Sequence, residues 1–282
     1  MQRDGYLKKD IFKVMTLLTK IAILLPLSCF ALTTKPWLSD LFEADLVPGY
    51  TYRHYPDVQG ATKPFASNDQ ILSLGLGATL STHFDFELEL EVANTTQQSW
   101  GMRSGAMQMR YLWLDDVAGD PISFLTGFSL RDVSKRNLRD VSCPYAARIN
   151  WELFSAIGKE FSDGANWTTR IYAWLAAGIA NRGSWWTRQE ISYESNWCDR
   201  HNLKLFSQGD FGFGDLQQIV VDHFNGWGKY HHQSIDLGIC YRYQLDYYGT
   251  FSINYAYRVF ARTFPEKVHC LTLMYCFPFC LF

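Results

Sequence analysis

Strict alternation constrains this chain more than any other feature. Leu72, Leu74, Leu76, Ala78 and Leu80 alternate with Ser73, Gly75, Gly77 and Thr79. After Ser81-Thr82-His83 the pattern resumes with Phe84, Phe86, Leu88, Leu90 and Val92 against Asp85, Glu87, Glu89 and Glu91. Successive strand side chains point to opposite faces, so period two predicts a hairpin with one apolar and one charged face. A soluble antiparallel sandwich alternates too. Length separates the two: these segments run to about ten residues, beyond the ~5–6 of soluble strands and within the ~9–11 that cross a bilayer at a tilt.

The same dyad recurs at Met107–Trp113, Ile122–Leu130, Ile149–Ile157, Trp167–Ile179, Ile235–Tyr243 and Phe251–Tyr257, with weaker segments at Trp185–Glu194 and Asn202–Phe211. With an aromatic first strand near Tyr50–Tyr55 and a closing strand from Leu271 to Phe282, the expected architecture is all-β, an antiparallel transmembrane barrel of about twelve strands. Connections alternate in length as well. Ser81–His83, Asp115–Asp120 and Asp246–Gly249 are short, whereas Pro56–Gln70, Ala93–Gly105 and Asp132–Tyr145 are long, and the stretch from Gly212 to Tyr230 is rich in Gly and aromatics.

Lys8, Lys9, Lys13 and Lys20 precede the apolar run Ile21–Leu27, and small residues follow up to Ala31. This pattern predicts a signal peptide over residues 1–31, cleaved after Ala31, with the barrel occupying 32–282. Met15 as an alternative start would leave the export signal intact. A lipid-modified Cys29 fits less well, because Pro26 stands where such signals favour Leu. No later apolar run reaches the ~18–20 residues of a membrane helix. The chain is instead rich in aromatic residues, with 20 Phe, 16 Tyr and 10 Trp, or 16% of the sequence. A net charge of −2 offers no basic field for nucleic acid.

In its signal peptide, its alternating strands and the terminal run Leu271-Thr272-Leu273-Met274-Tyr275-Cys276-Phe277-Pro278-Phe279-Cys280-Leu281-Phe282, the chain resembles outer-membrane β-barrel proteins of Gram-negative bacteria. Asp115-Asp116-Val117-Ala118-Gly119-Asp120-Pro121 and Tyr255-Ala256-Tyr257-Arg258-Val259-Phe260-Ala261-Arg262 also resemble uncharacterised envelope barrels of chlamydia-like bacteria. The resemblance implies an outer-membrane location, with membrane lipids and the barrel-assembly machinery as partners. Leu281 closes the outward set of the last strand, which leaves Phe282 out of phase.

Outer-membrane phospholipases and lipid A deacylases carry a His-x-Ser pair on one strand, and His232-Gln233-Ser234 matches that spacing. With Ile235, Leu237 and Ile239 facing lipid, however, His232 and Ser234 point into the lumen, whereas those lipases work on the lipid side. The longer pattern His-x-Ser-Asn-Gly is echoed only by His223-Phe224-Asn225-Gly226, which lacks the serine. Polar residues at a barrel mouth are the preferred reading, and neither a catalytic group, a metal nor a cofactor is expected.

By the same parity the lumen receives Asp85, Glu87, Glu89, Glu91, Glu152, Glu190, Glu194, Asp210 and Asp236, against Arg53, Arg110, Arg131, Arg148, Arg170, Arg188, Lys204, Arg242 and Arg258. Equal numbers predict an interior laced with ion pairs, without the one-signed ring of a strongly selective pore. Glu87, Glu89, Glu91, Arg110, Arg148, Glu152, Arg170, Arg242 and Arg258 are the expected lining residues. Cys240, Cys270, Cys276 and Cys280 share lumen parity, while Cys143 and Cys198 fall in connections at opposite ends. Cys276 and Cys280 lie about 13 Å apart along a strand, too far to bond. Free thiols are expected, with cross-links to envelope partners as the alternative. A passive pore with a charge-balanced lumen is the leading expectation, followed by a structural or adhesive envelope protein and then by a lipid hydrolase.

Overall fold

The computed structural model describes residues 32–163 and 166–280. The expected signal peptide and cleavage site, and the terminal Leu281 and Phe282, lie outside the described residues, apart from Leu32 itself. The strands in chain order are β1 (Glu43–Tyr55), β2 (Asp57–Val58), β3 (Ser67–Ser81), β4 (Phe84–Asn94), β5 (Gly101–Leu114), β6 (Ser123–Val133) and β7 (Ile149–Asp163). They continue with β8 (Asn166–Ala180), β9 (Trp186–Trp197), β10 (His201–Gly212), β11 (Gln233–Gln244), β12 (Thr250–Arg262), β13 (Pro265–Glu266) and β14 (His269–Cys280). Among the described residues twelve long strands form a closed antiparallel barrel, in which β1 pairs with both β3 and β14, while the short β2 and β13 pair above it.

Burial along the strands is inverted relative to a soluble protein. On β4 the inward residues are Asp85, Glu87, Glu89 and Glu91, and Glu89 is wholly buried, as is Glu194 on β9. Leucine and isoleucine occupy the opposite face: Leu153 is 68% exposed, Ile191 63% and Ile179 61%. An apolar belt on this scale is tolerable only against lipid. Closure supplies the other requirement, because hydrocarbon offers no water to unpaired backbone groups and a closed ladder leaves no edge.

Aromatic side chains border the belt at both rims. At the short-turn rim Tyr111 packs against Trp113, whose indole N–H donates to Thr126 Oγ1 at 2.8 Å, and His201 contacts the Tyr241 hydroxyl at 2.6 Å. At the long-loop rim the Tyr255 hydroxyl meets His269 Nδ1 at 2.8 Å, and Trp185 stacks on Phe213 with 3.9 Å between ring centroids.

The long loops are shorter than the sequence pattern predicts, because β3 begins at Ser67 and β5 at Gly101. Beyond the lipid belt both faces of a strand are polar, as at Ser67, Asn68, Asp69 and Gln70, so no alternation announces it. The loops close over this end of the barrel around a buried core of Tyr55, Val58, Val141, Ile219, Phe224, Trp227, Phe264 and Val268. Gly226 is required there: its φ is +87°, and a Cβ would collide with the Ala146 carbonyl oxygen.

Because Leu153 faces lipid near the middle of β7, Leu153→Arg should destabilise the folded barrel by about 2–4 kcal/mol. Urea titration in lipid vesicles, read by the gel mobility of unboiled samples, measures that loss.

Candidate functional site

The charged face of β4 sets one wall of the lumen. Arg110, on β5, pairs bidentately with Asp85 and reaches Glu87 Oε1 at 3.0 Å. From β6, Arg131 spans Glu89 at 2.6 Å and Glu91 at 3.4 Å, and its guanidinium lies over the Tyr145 ring. The Ser104 and Tyr145 hydroxyls donate to Glu91 Oε2 at 2.6 and 2.7 Å, and Arg103 approaches the same oxygen at 3.9 Å. Each carboxylate therefore exchanges water for a charged or hydroxyl partner, the condition under which a buried charge persists.

A second network crosses the opposite wall. Glu194 on β9 accepts from Arg242 at 3.1 Å and from Lys35 at 3.2 Å. Glu190 accepts from Lys204 at 2.6 Å and from Gln208 Nε2 at 2.7 Å. Glu152 is gripped by Arg188 and by the Trp186 indole, Arg170 pairs with Glu160 at 2.5 Å, and Arg258 pairs with Asp236 at 2.6 Å.

Between these walls lies a cavity of about 630 Å³. Of the residues expected to line it, Glu87, Arg110, Glu152, Arg170, Arg242 and Arg258 do so, whereas Glu89 and Glu91 sit buried in the wall behind their guanidinium and hydroxyl partners. Arg148 is a correction. It precedes the first residue of β7, where strand alternation no longer governs side-chain direction, and it pairs at 3.3 Å with Asp132 on the exposed rim.

Sequence parity also missed several inward groups. The register shifts between Glu91 and Val92, so that both Arg103 and Ser104 turn inward, as a β-bulge allows. Asp69, which accepts from Arg53 at 2.7 Å, lies on the polar extension of β3. An apolar inner patch of Leu112, Leu125, Phe154 and Trp174 interrupts the otherwise charged lining.

That patch seats the segment before β1. Leu38 packs on it, and Trp37 meets Tyr172 edge-on and lies beneath the Arg170 guanidinium. Gly158 makes room, since a Cβ there would lie 2.8 Å from the Trp37 ring. The Trp37 indole donates to Asp116 Oδ1 at 2.9 Å, and from this anchor residues 36 to 32 run into the lumen. No periodicity marks this strap in the sequence, which is why only the structure shows it.

His232 and Ser234 both point inward, as their parity predicts. The imidazole is committed elsewhere: Nδ1 contacts the Tyr230 carbonyl at 3.1 Å, Nε2 faces Asp210 at 3.6 Å, and the ring stacks on Phe264. No His232–Ser234 hydrogen bond occurs among the described residues. Cys143, Cys198, Cys240 and Cys276 carry free thiols.

Solved structures of similar shape are outer-membrane barrels. An outer membrane channel from Pseudomonas putida F1 superimposes with a TM-score of 0.62 over 89% of this chain and 100% of that one, at 8% identity. A NanC porin gives 0.53 over 83% of this chain and 98% of that one, at 10% identity. This chain shares their architecture, a closed antiparallel barrel with an apolar outer belt. No family model matches the sequence, and no curated protein matches it. At these identities the shared property is the fold.

Two predictions follow from the wall and the strap. Arg131→Ala leaves buried carboxylates without their guanidinium, and should lower stability by about 3–5 kcal/mol in a denaturant titration of the detergent-folded barrel. The second concerns Asp116, in the turn after β5. Burial acts to raise the pKa of its carboxyl, but hydrogen bonds from the Ser123 hydroxyl, the Glu160 amide and the Trp37 indole outweigh this and hold it below the usual carboxylate range. The stabilisation is therefore in place above the unfolded aspartate pKa and is lost as pH falls through the lowered folded value. Protease cleavage within the strap should thus stay equally slow from pH 8 to about 5; a rise at pH 6 would contradict the assignment.

Proposed function

We propose that this barrel is a passive permeability protein, a narrow pore whose charge-balanced lumen passes small polar solutes with weak ionic preference. The observation that carries the reading is the cavity of about 630 Å³, walled by paired acids and bases on opposite sides and wide enough for one small molecule. Twelve strands fit it, lying between the side-chain-filled interior of about eight and the open channel of about sixteen. Kinship with envelope barrels of chlamydia-like bacteria belongs to the same reading, as do the assembly machinery as a partner and export by a signal peptide ending at Ala31.

One observation favours the structural or adhesive alternative: the strap and the looped lid narrow the barrel from its two ends. Conduction separates the readings. Arg110 donates to the Lys35 carbonyl at 3.1 Å and Arg170 covers Trp37, so the two guanidiniums hold the strap as well as the wall. Replacing both with Ala should enlarge the single-channel current in a planar bilayer and shift its preference toward cations, because Asp85, Glu87 and Glu160 lose counter-charges. Silence from the parent, from this double variant and from a barrel lacking residues 32–38, despite verified insertion, would defeat the pore reading in favour of the structural one.

A further inference from the structure

The lumen holds the strap much as a strand holds its neighbour. Glu87 on β4 and Gln108 on β5 are cross-strand partners, and together they clasp one residue. The Thr33 amide donates to Glu87 Oε2 at 2.8 Å, and Gln108 Nε2 donates to the Thr33 carbonyl at 3.0 Å. Two residues on, Arg110 donates to the Lys35 carbonyl at 3.1 Å. Gln108 and Arg110 share one face of β5, so their spacing matches that of the two carbonyls they hold and selects an extended backbone. The side chains are read from the opposite wall, on β9: Thr34 Oγ1 donates to Glu190 Oε1 and Lys35 Nζ to Glu194 Oε2, both at 3.2 Å.

Each of these wall groups also has a partner within the wall. Glu87 keeps Arg110 at 3.0 Å and Gln108 at 3.2 Å, and Arg110 keeps Asp85. Glu190 keeps Lys204 at 2.6 Å and Ser192 at 2.7 Å, while Glu194 keeps Arg242 at 3.1 Å and the Tyr172 hydroxyl at 3.2 Å. Departure of the strap therefore strands none of these buried charges, and stranding is what makes the loss of a partner costly. The groove is complete without its occupant. What keeps residues 33–35 in it is the anchor next along the chain, Trp37, on its Asp116 bond and its Tyr172 contact.

We propose that this groove is a binding site for a short, extended peptide bearing a lysine side chain, with residues 33–35 as its intramolecular occupant. Glu87, Gln108 and Arg110 take the backbone, Glu190 takes a hydroxyl, and Glu194 takes the ammonium. A free peptide of this kind competes with a tethered rival, whose tether gives it a high local concentration, and it enters when the strap yields. The inference concerns binding and stands whether or not the lumen conducts.

The test compares protein from expression of the full chain, extracted into detergent, with a Lys35→Ala/Trp37→Ala variant that lacks the competing ammonium and the anchor. The probe is acetyl-Thr-Thr-Lys-amide, and its binding is measured by titration calorimetry. It should bind the double variant at least about tenfold more tightly than the parent, whose groove is occupied. Norleucine in place of the probe's lysine keeps the length and removes the charge, and should weaken binding to the variant about tenfold. Adding Glu194→Gln should abolish that difference; if this further variant does not fold, the norleucine comparison decides alone. The rearranged acetyl-Lys-Thr-Thr-amide, of equal charge, should bind several-fold more weakly, because its ammonium and the clasped backbone no longer coincide. No saturable binding to a double variant that keeps the folded gel mobility, or equal binding of the lysine and norleucine probes, would overturn the proposal. Equal binding of the rearranged probe would reduce the effect to charge attraction and overturn the groove. If the double variant does not fold, the parent replaces it: excess lysine probe should speed chymotrypsin cleavage of the strap several-fold and the norleucine probe should not, and no acceleration would overturn the proposal.

Discussion

Everything in this structure depends on the absence of water from a bilayer interior. Backbone groups that cannot be hydrated must pair with one another, which closes the sheet; side chains that cannot be hydrated must be apolar where they meet lipid, which sends the ionisable ones inward. Glu89 and Glu194 are buried because Leu88, Leu90 and Ile191 are not. The ion pairs of the lumen are thus a consequence of the fold's inversion, and their geometry then stiffens the wall, with Arg131 bridging two carboxylates while it lies over the Tyr145 ring.

The barrel's ends behave differently from its belt. At the long-loop end an ordinary hydrophobic core, with Trp227 wholly buried, assembles from segments distant in sequence. At the short-turn end the chain folds back into its own lumen, held by Trp37 on an apolar patch and by Lys35 on Glu194. Any solute crossing the barrel has to negotiate both, so the charged wall alone does not fix the size of the passage.

The belt was legible in the sequence and the ends were not, for a physical reason. Between Leu72 and Val92 one face must be apolar and the other polar, and a code of period two results. At Asn68 or Arg148 the outside is water, the constraint lapses, and so does the code: Asp69 was missed and Arg148 misplaced. A single register shift did the same within the belt, turning Arg103 inward beside Ser104. The strap at Leu32–Leu38 has no repeating environment, so nothing in its sequence announces where it lies.

The central claim is that two opposite faces alternate residue by residue between lipid and a polar lumen. It is tested most directly by spin labels placed one at a time from Phe251 to Tyr255 on β12 in bilayers, reading their accessibility to oxygen, which partitions into lipid, and to a water-soluble nickel complex. The account predicts oxygen maxima at Phe251, Ile253 and Tyr255, with higher nickel accessibility at Ser252 and Asn254, which line the lumen cavity. Accessibility without period two, or with the opposite phase, would contradict it.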